Sequence, residues 1–119
     1  PKHDWLGASP DLLIDDVFDP SFAPGVGEIK CPVARVLYDE IPTYYMAQVQ
    51  GLMEVTDREW CDFICWTPTH MRVWRVERSR EYWVWLHARL VEFWKFVTDK
   101  TQPPRAARPT APDLLVSVG

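Results

Sequence analysis

The sequence predicts an α/β (α+β) domain: one small mixed central sheet flanked by helices. Three observations carry that expectation. Aromatic and apolar residues alternate over Trp60–Thr67 and again over Met71–Glu77, on either side of Pro68-Thr69-His70, as in an antiparallel hairpin. Tyr45, Gln48, Val49, Leu52 and Met53 recur at helical spacing, and so do Trp83, Leu86, Leu90, Phe93, Trp94 and Val97. At 119 residues the chain is one domain at most, and 47% hydrophobic residues with seven Trp suffice for a core.

Taken in order, Leu12–Asp15 reads as a short strand. Asp16–Gly25, rich in Asp, Pro and Gly, reads as a loop. Gly27–Cys31 is the return strand, ended by Pro32, which has no N–H for the ladder. The two strands form a hairpin with a long tip. Ile41-Pro42-Thr43 opens a helix, with Pro42 or Thr43 near its cap, and that helix ends near Val55-Thr56-Asp57. The Trp60–Thr67 and Met71–Glu77 strands follow. Glu81–Thr98 is a second helix with Ser79 as its N-cap and one apolar face. The order is strand, strand, helix, strand, strand, helix. Residues 1–100 therefore make the core domain, and the Pro/Ala/Arg-rich residues 101–119 a mobile tail.

Composition excludes several function classes. No stretch reaches membrane-spanning length, and no secretory signal pattern is present. Three cysteines are an odd number and make no disulfide framework, so an intracellular, reducing compartment is expected. Neither His-x-x-x-His nor Cys-x-x-Cys occurs, which disfavours zinc, and three cysteines cannot hold a four-cysteine iron–sulfur cluster. There is no phosphate-binding glycine loop and no Gly-x-Ser-x-Gly elbow. The net charge of −4 is not that of a typical nucleic-acid binder. A bound metal would nevertheless attract phosphate by its own charge.

Chemistry is concentrated at Asp11 and Glu28-Ile29-Lys30. Glu28 and Lys30 are two apart in a strand and share a face. Ile29 is expected to point the other way, into a core, with its backbone carbonyl at the same edge. A bent pair of strands would bring both carboxylates and the ammonium to one point. Carboxylate pairs hold hard cations such as Mg²⁺, and a nearby lysine stabilises charge developing on phosphate. Taken alone, Glu-x-Lys is also an ordinary solvated ion pair. Gln48 and Gln50 are polar residues in an apolar helix. Gln50 reads as solvent-facing or capping a neighbour, whereas the Gln48 amide is placed to hydrogen-bond an attacking water or a phosphate oxygen.

These segments jointly resemble a known family. Ala8-Ser9-Pro10-Asp11, Glu28-Ile29-Lys30-Cys31-Pro32, Tyr45-Met46-Ala47-Gln48-Val49-Gln50, Met53 and Val55-Thr56 are similar to the YqaJ-like viral recombinases, relatives of lambda exonuclease in the PD-(D/E)XK nuclease superfamily. The resemblance spans roughly Trp5 to Thr98. It implies a restriction-endonuclease-like core, with Asp11, Glu28 and the Ile29 carbonyl as ligands of Mg²⁺ (Mn²⁺ substituting), and Lys30 positioning and activating water. Gln48 and Tyr45 match its helix motif. Asp11, Glu28, Lys30 and Gln48 are thus the implied catalytic set, with Ser9, Tyr45, Arg72 and Arg75 as candidate substrate contacts. The implied reaction is metal-dependent hydrolysis of linear duplex DNA from its ends, 5′ to 3′, in recombination or viral DNA processing. The implied partners are DNA ends, a single-strand annealing recombinase and a ring trimer of the chain itself, with no membrane.

Two departures accompany the resemblance. The Asp11–Glu28 connection is longer, containing Phe18, Pro20, Phe22 and Pro24. Only ten residues precede Asp11, so the family's upstream helical region, with its further acidic ligand and basic residues, is absent from this sequence, and His3 and Asp4 do not replace it. The chain is then a fragment or a pared-down relative. Two alternatives follow: a non-catalytic DNA-binding or assembly module of the same fold, or an endonuclease of the superfamily. Trp66, Trp74, Trp83, Trp85 and Trp94 are stacking candidates, most of them expected in the core, with Trp85 as the exception. Arg72, Arg75, Arg78 and Arg80 read equally as a backbone-tracking row or a solvated hairpin edge.

Overall fold

The computed structural model describes residues 4–105 and 110–119. Its strands are β1 (Leu12–Ile14), β2 (Gly25–Lys30), β3 (Trp60–Trp66), β4 (Met71–Glu77) and β5 (Val116–Val118). A 3₁₀ turn at Thr43–Tyr45 leads into helix α1 (Met46–Thr56), and helix α2 is Arg80–Asp99. The five strands form one sheet in the order β1-β2-β3-β4-β5. Only β2 and β3 are parallel. Parallel neighbours need a long crossover connection, and α1 lies on it. The mixed-sheet α+β expectation holds. Two compact units are present. One runs to Arg78 and takes in Leu114–Gly119; the other is Ser79–Asp113.

The first unit has its core on one face of the sheet. Val26 on β2, Cys61, Phe63 and Cys65 on β3, and Trp74 and Val76 on β4 cluster with Val49, Leu52 and Met53 of α1. The register sets Glu28 beside Phe63 and Phe63 beside Trp74, so Glu28 lies on this covered face. Ile29 lies on the opposite face and is 38% exposed, which corrects the expectation that it enters the core. Alternation puts the two residues on opposite faces, but the packing of α1 decides which face is dry. Gly25 is required at its position, because a Cβ there would overlap the Trp60 indole.

Two arginines tie the ends of these elements together. Arg58 donates to the carbonyls of Ile14 (3.3 Å) and Gly25 (2.9 Å) and pairs with Asp15 at 3.1 Å, closing the tip end of the β1–β2 hairpin. Arg78, with a side chain only 4% exposed, pairs with Glu54, Asp57 and Glu59 at 2.8–3.0 Å. It thereby joins the end of α1 to the start of β3.

The tail expected over 101–119 ends in a strand: β5 pairs with β4, Val116 against Val76 and Val118 against Trp74. Val-Ser-Val is β-prone, and β4 offers an otherwise open edge. Residues 106–109, the Ala/Arg part of that tail, lie outside the described residues.

The second unit is dominated by α2. The Ser79 hydroxyl accepts the Tyr82 N–H at 3.0 Å, the expected N-cap, and Glu81 sits in the first turn, where a carboxylate suits the helix dipole. The expected apolar face is only partly covered. Leu86 is buried and Trp83 and Leu90 are half-buried, but Phe93, Trp94 and Val97 are exposed. Among the five stacking candidates only Trp74 is buried, and Trp66 is 46% exposed, so most of these tryptophans lie outside the core. Periodicity shows which face is apolar but not how much of it another element covers.

Candidate active site

Antiparallel pairing of β1 and β2 ends at Leu12 against Gly27. One step further, Asp11 stands opposite Glu28, and its Oδ2 accepts the Ile29 N–H at 2.8 Å. That bond ties Asp11 to the carboxylate-bearing end of β2. Glu28 is buried, and its Oε1 accepts from Lys30 Nζ at 3.2 Å and from Gln48 Nε2 at 3.1 Å. Lys30 Nζ also donates to Gln48 Oε1 at 3.2 Å. Glu28, Lys30 and Gln48 therefore close a three-membered ring of polar contacts between β2 and α1. The Lys30 ammonium sits 4.5 Å from the Tyr45 ring centroid, a cation–π contact. Tyr45 itself packs on Phe63 at 5.5 Å.

One polar atom is left over. Among the described residues, none donates a hydrogen bond to the buried Glu28 Oε2. An unmet buried acceptor costs about 1–3 kcal/mol, more when charged. Burial pushes the Glu28 carboxyl above its ordinary value; the Lys30 ammonium opposes that shift, and the neighbouring Asp11 carboxylate adds to it. Two carboxylates near enough to act on each other, one with a buried bare oxygen, are arranged to receive positive charge.

All five of these side chains fall in one matched segment. Residues 1–59 match the family model of the YqaJ-like viral recombinase domain. Over that stretch the chain is similar to the YqaJ-like family. The match stops short of the Trp5–Thr98 span that the motifs suggest. No curated protein and no solved structure matches the chain.

Within the YqaJ-like segment the structure brings Asp11, Glu28, Lys30, Gln48 and Tyr45 together, with the Ile29 backbone beside them. Ser9 is exposed, two residues before Asp11. Asp4 is exposed as well, and His3 lies outside the described residues. Gln48 is exposed; its amide bonds Glu28 through Nε2 and Lys30 through Oε1, and a second N–H and a second lone pair remain for water or phosphate. Gln50 is buried rather than solvent-facing and caps a neighbour, donating to the Glu77 carbonyl at 2.9 Å.

The arginines beyond the matched segment are held elsewhere. Arg72 is on the Lys30 face two strands away, and it donates to the Tyr38 carbonyl at 2.6 Å. Arg75 is on the opposite face, bidentate to Asp62 at 2.8 and 3.0 Å and 3.8 Å from the Trp60 ring centroid. The structure does not bring Arg75 to the site. Sequence reading missed Tyr38, whose hydroxyl hydrogen-bonds Tyr45 and is pushed up to about 12, chiefly by that bond and by burial. Nothing in the Val33–Glu40 loop signals this contact.

The donor set can be tested against a metal. Among the described residues no three His, Cys, Asp or Glu cluster as a metal cage. Zinc prefers nitrogen and sulfur and a closed tetrahedron. Mg²⁺ takes one or two carboxylates and fills its remaining positions with water and substrate oxygens. Asp11, Glu28 with its bare Oε2, and the Ile29 carbonyl fit an ion of that kind.

Among the described residues no helix is long and apolar enough to cross a membrane.

Proposed function

We propose that this chain is a metal-dependent deoxyribonuclease: a 5′ to 3′ exonuclease acting on linear duplex DNA in recombination or viral DNA processing. The observation that carries this reading is the buried Glu28 carboxylate, bonded through one oxygen to Lys30 and Gln48 and bare at the other. The match to a viral recombinase domain supplies the biological setting.

Asp11, Glu28 and the Ile29 carbonyl would hold Mg²⁺ or Mn²⁺. Such an ion, when bound, neutralises phosphate charge and lowers the pKa of a water. The rest is the work of the chain. Lys30 presents its ammonium beside the carboxylates, where it orients the attacking water and offsets negative charge gathering on the phosphate. Gln48 fixes Glu28 and Lys30 relative to each other, and the Tyr45 ring supports the ammonium from below. Preorganised charge of this sort needs no rearrangement when the reaction begins.

DNA ends are the substrate in this reading, with an annealing recombinase and a ring of identical subunits as partners. A second reading is a DNA-binding module that keeps the fold without catalysis. It is favoured by the absence, among the described residues, of a third acidic or histidine ligand.

The test is cleavage of linear and circular duplexes with Mg²⁺ or Mn²⁺ by the wild-type chain and by Lys30→Ala. Loss of the ammonium is expected to lower the rate at least about 100-fold, in line with removal of one charge-stabilising group. Equal rates for the two proteins would reject the assignment. Metal binding without cleavage by the wild type would select the second reading, and cutting of circles would make the protein an endonuclease.

A further inference from the structure

Tyr44 is 63% exposed, and its ring centroid lies 4.6 Å from that of Tyr45, at 56°. Tyr45 in turn carries the Lys30 ammonium over its own ring. Tyr44 is therefore the outer member of an aromatic pair whose inner member supports the reactive lysine. The core uses Tyr45, which packs on Phe63, and leaves Tyr44 in solvent.

The helix surface next to it carries exposed Gln48 and half-buried Gly51. Gln48 and Gly51 lie at i and i+3 along one face of α1, and Tyr44 precedes them in the 3₁₀ turn. A Cβ added at Gly51 would meet nothing within 4 Å. Glycine inside a helix costs about 1 kcal/mol relative to alanine, and no packing in the fold calls for it here. The face thus offers an exposed aromatic ring, then the polar ring of Gln48, Lys30 and Glu28, then open backbone over which a chain can lie closely.

We propose that Tyr44 is a nucleobase-stacking residue, holding the base of the nucleotide whose phosphate lies at Lys30. This rests on the nuclease reading for its substrate. Stacking suits an enzyme that must act on any sequence, since every base has a π-face. The exposure of the Tyr44 ring keeps its outer face available.

The experiment uses fluorescence anisotropy with a labelled single-stranded oligonucleotide in EDTA, alongside Mg²⁺-dependent cleavage. The wild type is compared with Tyr44→Ala and Tyr44→Phe, each first checked for native circular dichroism. Tyr44→Ala is expected to weaken binding and raise KM by about 5- to 150-fold, the range for loss of one stacked base, with kcat little changed. Tyr44→Phe keeps the ring and should behave as wild type. A matched oligonucleotide carrying an abasic site should cost the wild type affinity and cost Tyr44→Ala none. Unchanged binding and KM for Tyr44→Ala, or equal losses for the alanine and phenylalanine variants, would overturn the inference. Failure of the wild type to cleave, with the Tyr44→Ala binding loss intact, would overturn the nuclease reading and leave the stacking role standing.

Discussion

Replacing Glu28 by Gln tests whether the bare oxygen of that carboxylate is built for a cation. Glutamine is isosteric, and its carbonyl oxygen still accepts from Lys30 and Gln48, the two donors now on Oε1. Only the charge and the anionic second oxygen are lost. Without metal, burial outweighs Lys30 in raising the Glu28 carboxyl, so the ionised form is a net load on the fold. Metal-free Glu28→Gln should therefore melt no lower than wild type near neutral pH. The sign of the pH effect follows from the same shift. A carboxyl whose folded value is raised contributes stability below its ordinary value of 4.5 and loses it as pH climbs through the raised value. The melting difference between Glu28→Gln and wild type should accordingly widen in favour of the variant from pH 4 to pH 7. Adding Mg²⁺ should reverse the ranking. At ten times its Kd a ligand that binds only the folded state adds about 1.4 kcal/mol. For a unit of this size, that raises the wild-type Tm by about 6–11 °C. Glu28→Gln should show almost none of that rise. Tryptophan fluorescence melts with and without Mg²⁺ or Mn²⁺ read both effects. A wild-type Tm indifferent to both ions, or an equal rise in the variant, would refute the reasoning.

Further substitutions probe the scaffold. Gly25→Ala should destabilise by about 1–3 kcal/mol, the cost of overpacking, because Trp60 cannot retreat: its Nε1 donates to the Ala23 carbonyl at 2.8 Å and Arg75 covers its ring. Urea unfolding reads that loss. Arg78→Ala should cost about 2–3 kcal/mol, less than a fully buried pair, since Asp57 and Glu59 are well solvated; the urea midpoint should fall in proportion. Gly51→Ala should stabilise by about 0.4–1 kcal/mol, because no positive φ and no contact stands against the methyl. A midpoint raised at unchanged slope would show it.

Most of the fold could be read from local pattern. The hairpin over Trp60–Glu77, the capped helix after Ser79 and the loop over Asp16–Pro24 depend on alternation, periodicity and turn chemistry among near neighbours. The convergence of the candidate site residues was legible too, because motif order and strand spacing are properties of the chain itself: Asp11, Glu28, Lys30, Gln48 and Tyr45 do come together. What local pattern could not supply was the occupancy of each face. Ile29 and Glu28 alternate by geometry, yet only the placement of α1 buried the acid and exposed the isoleucine. Gln48 carries hydrogen-bonding groups whose partners its sequence does not name, and the fold aimed them at Glu28 and Lys30. Arg75 sits a few residues from Arg72, but the pleat turned it to the opposite face and Asp62 captured it.

The sequence by itself determined where the first four strands and the two helices lie and which residues bear charge at the end of β2, since both follow from interactions over a few residues. Tertiary structure alone decided that one oxygen of Glu28 is buried and left without a donor, that Val116–Val118 completes the sheet, and that Tyr44 stays in solvent beside Tyr45. Burial and long-range pairing depend on which surfaces meet across tens of residues, and no local pattern encodes that.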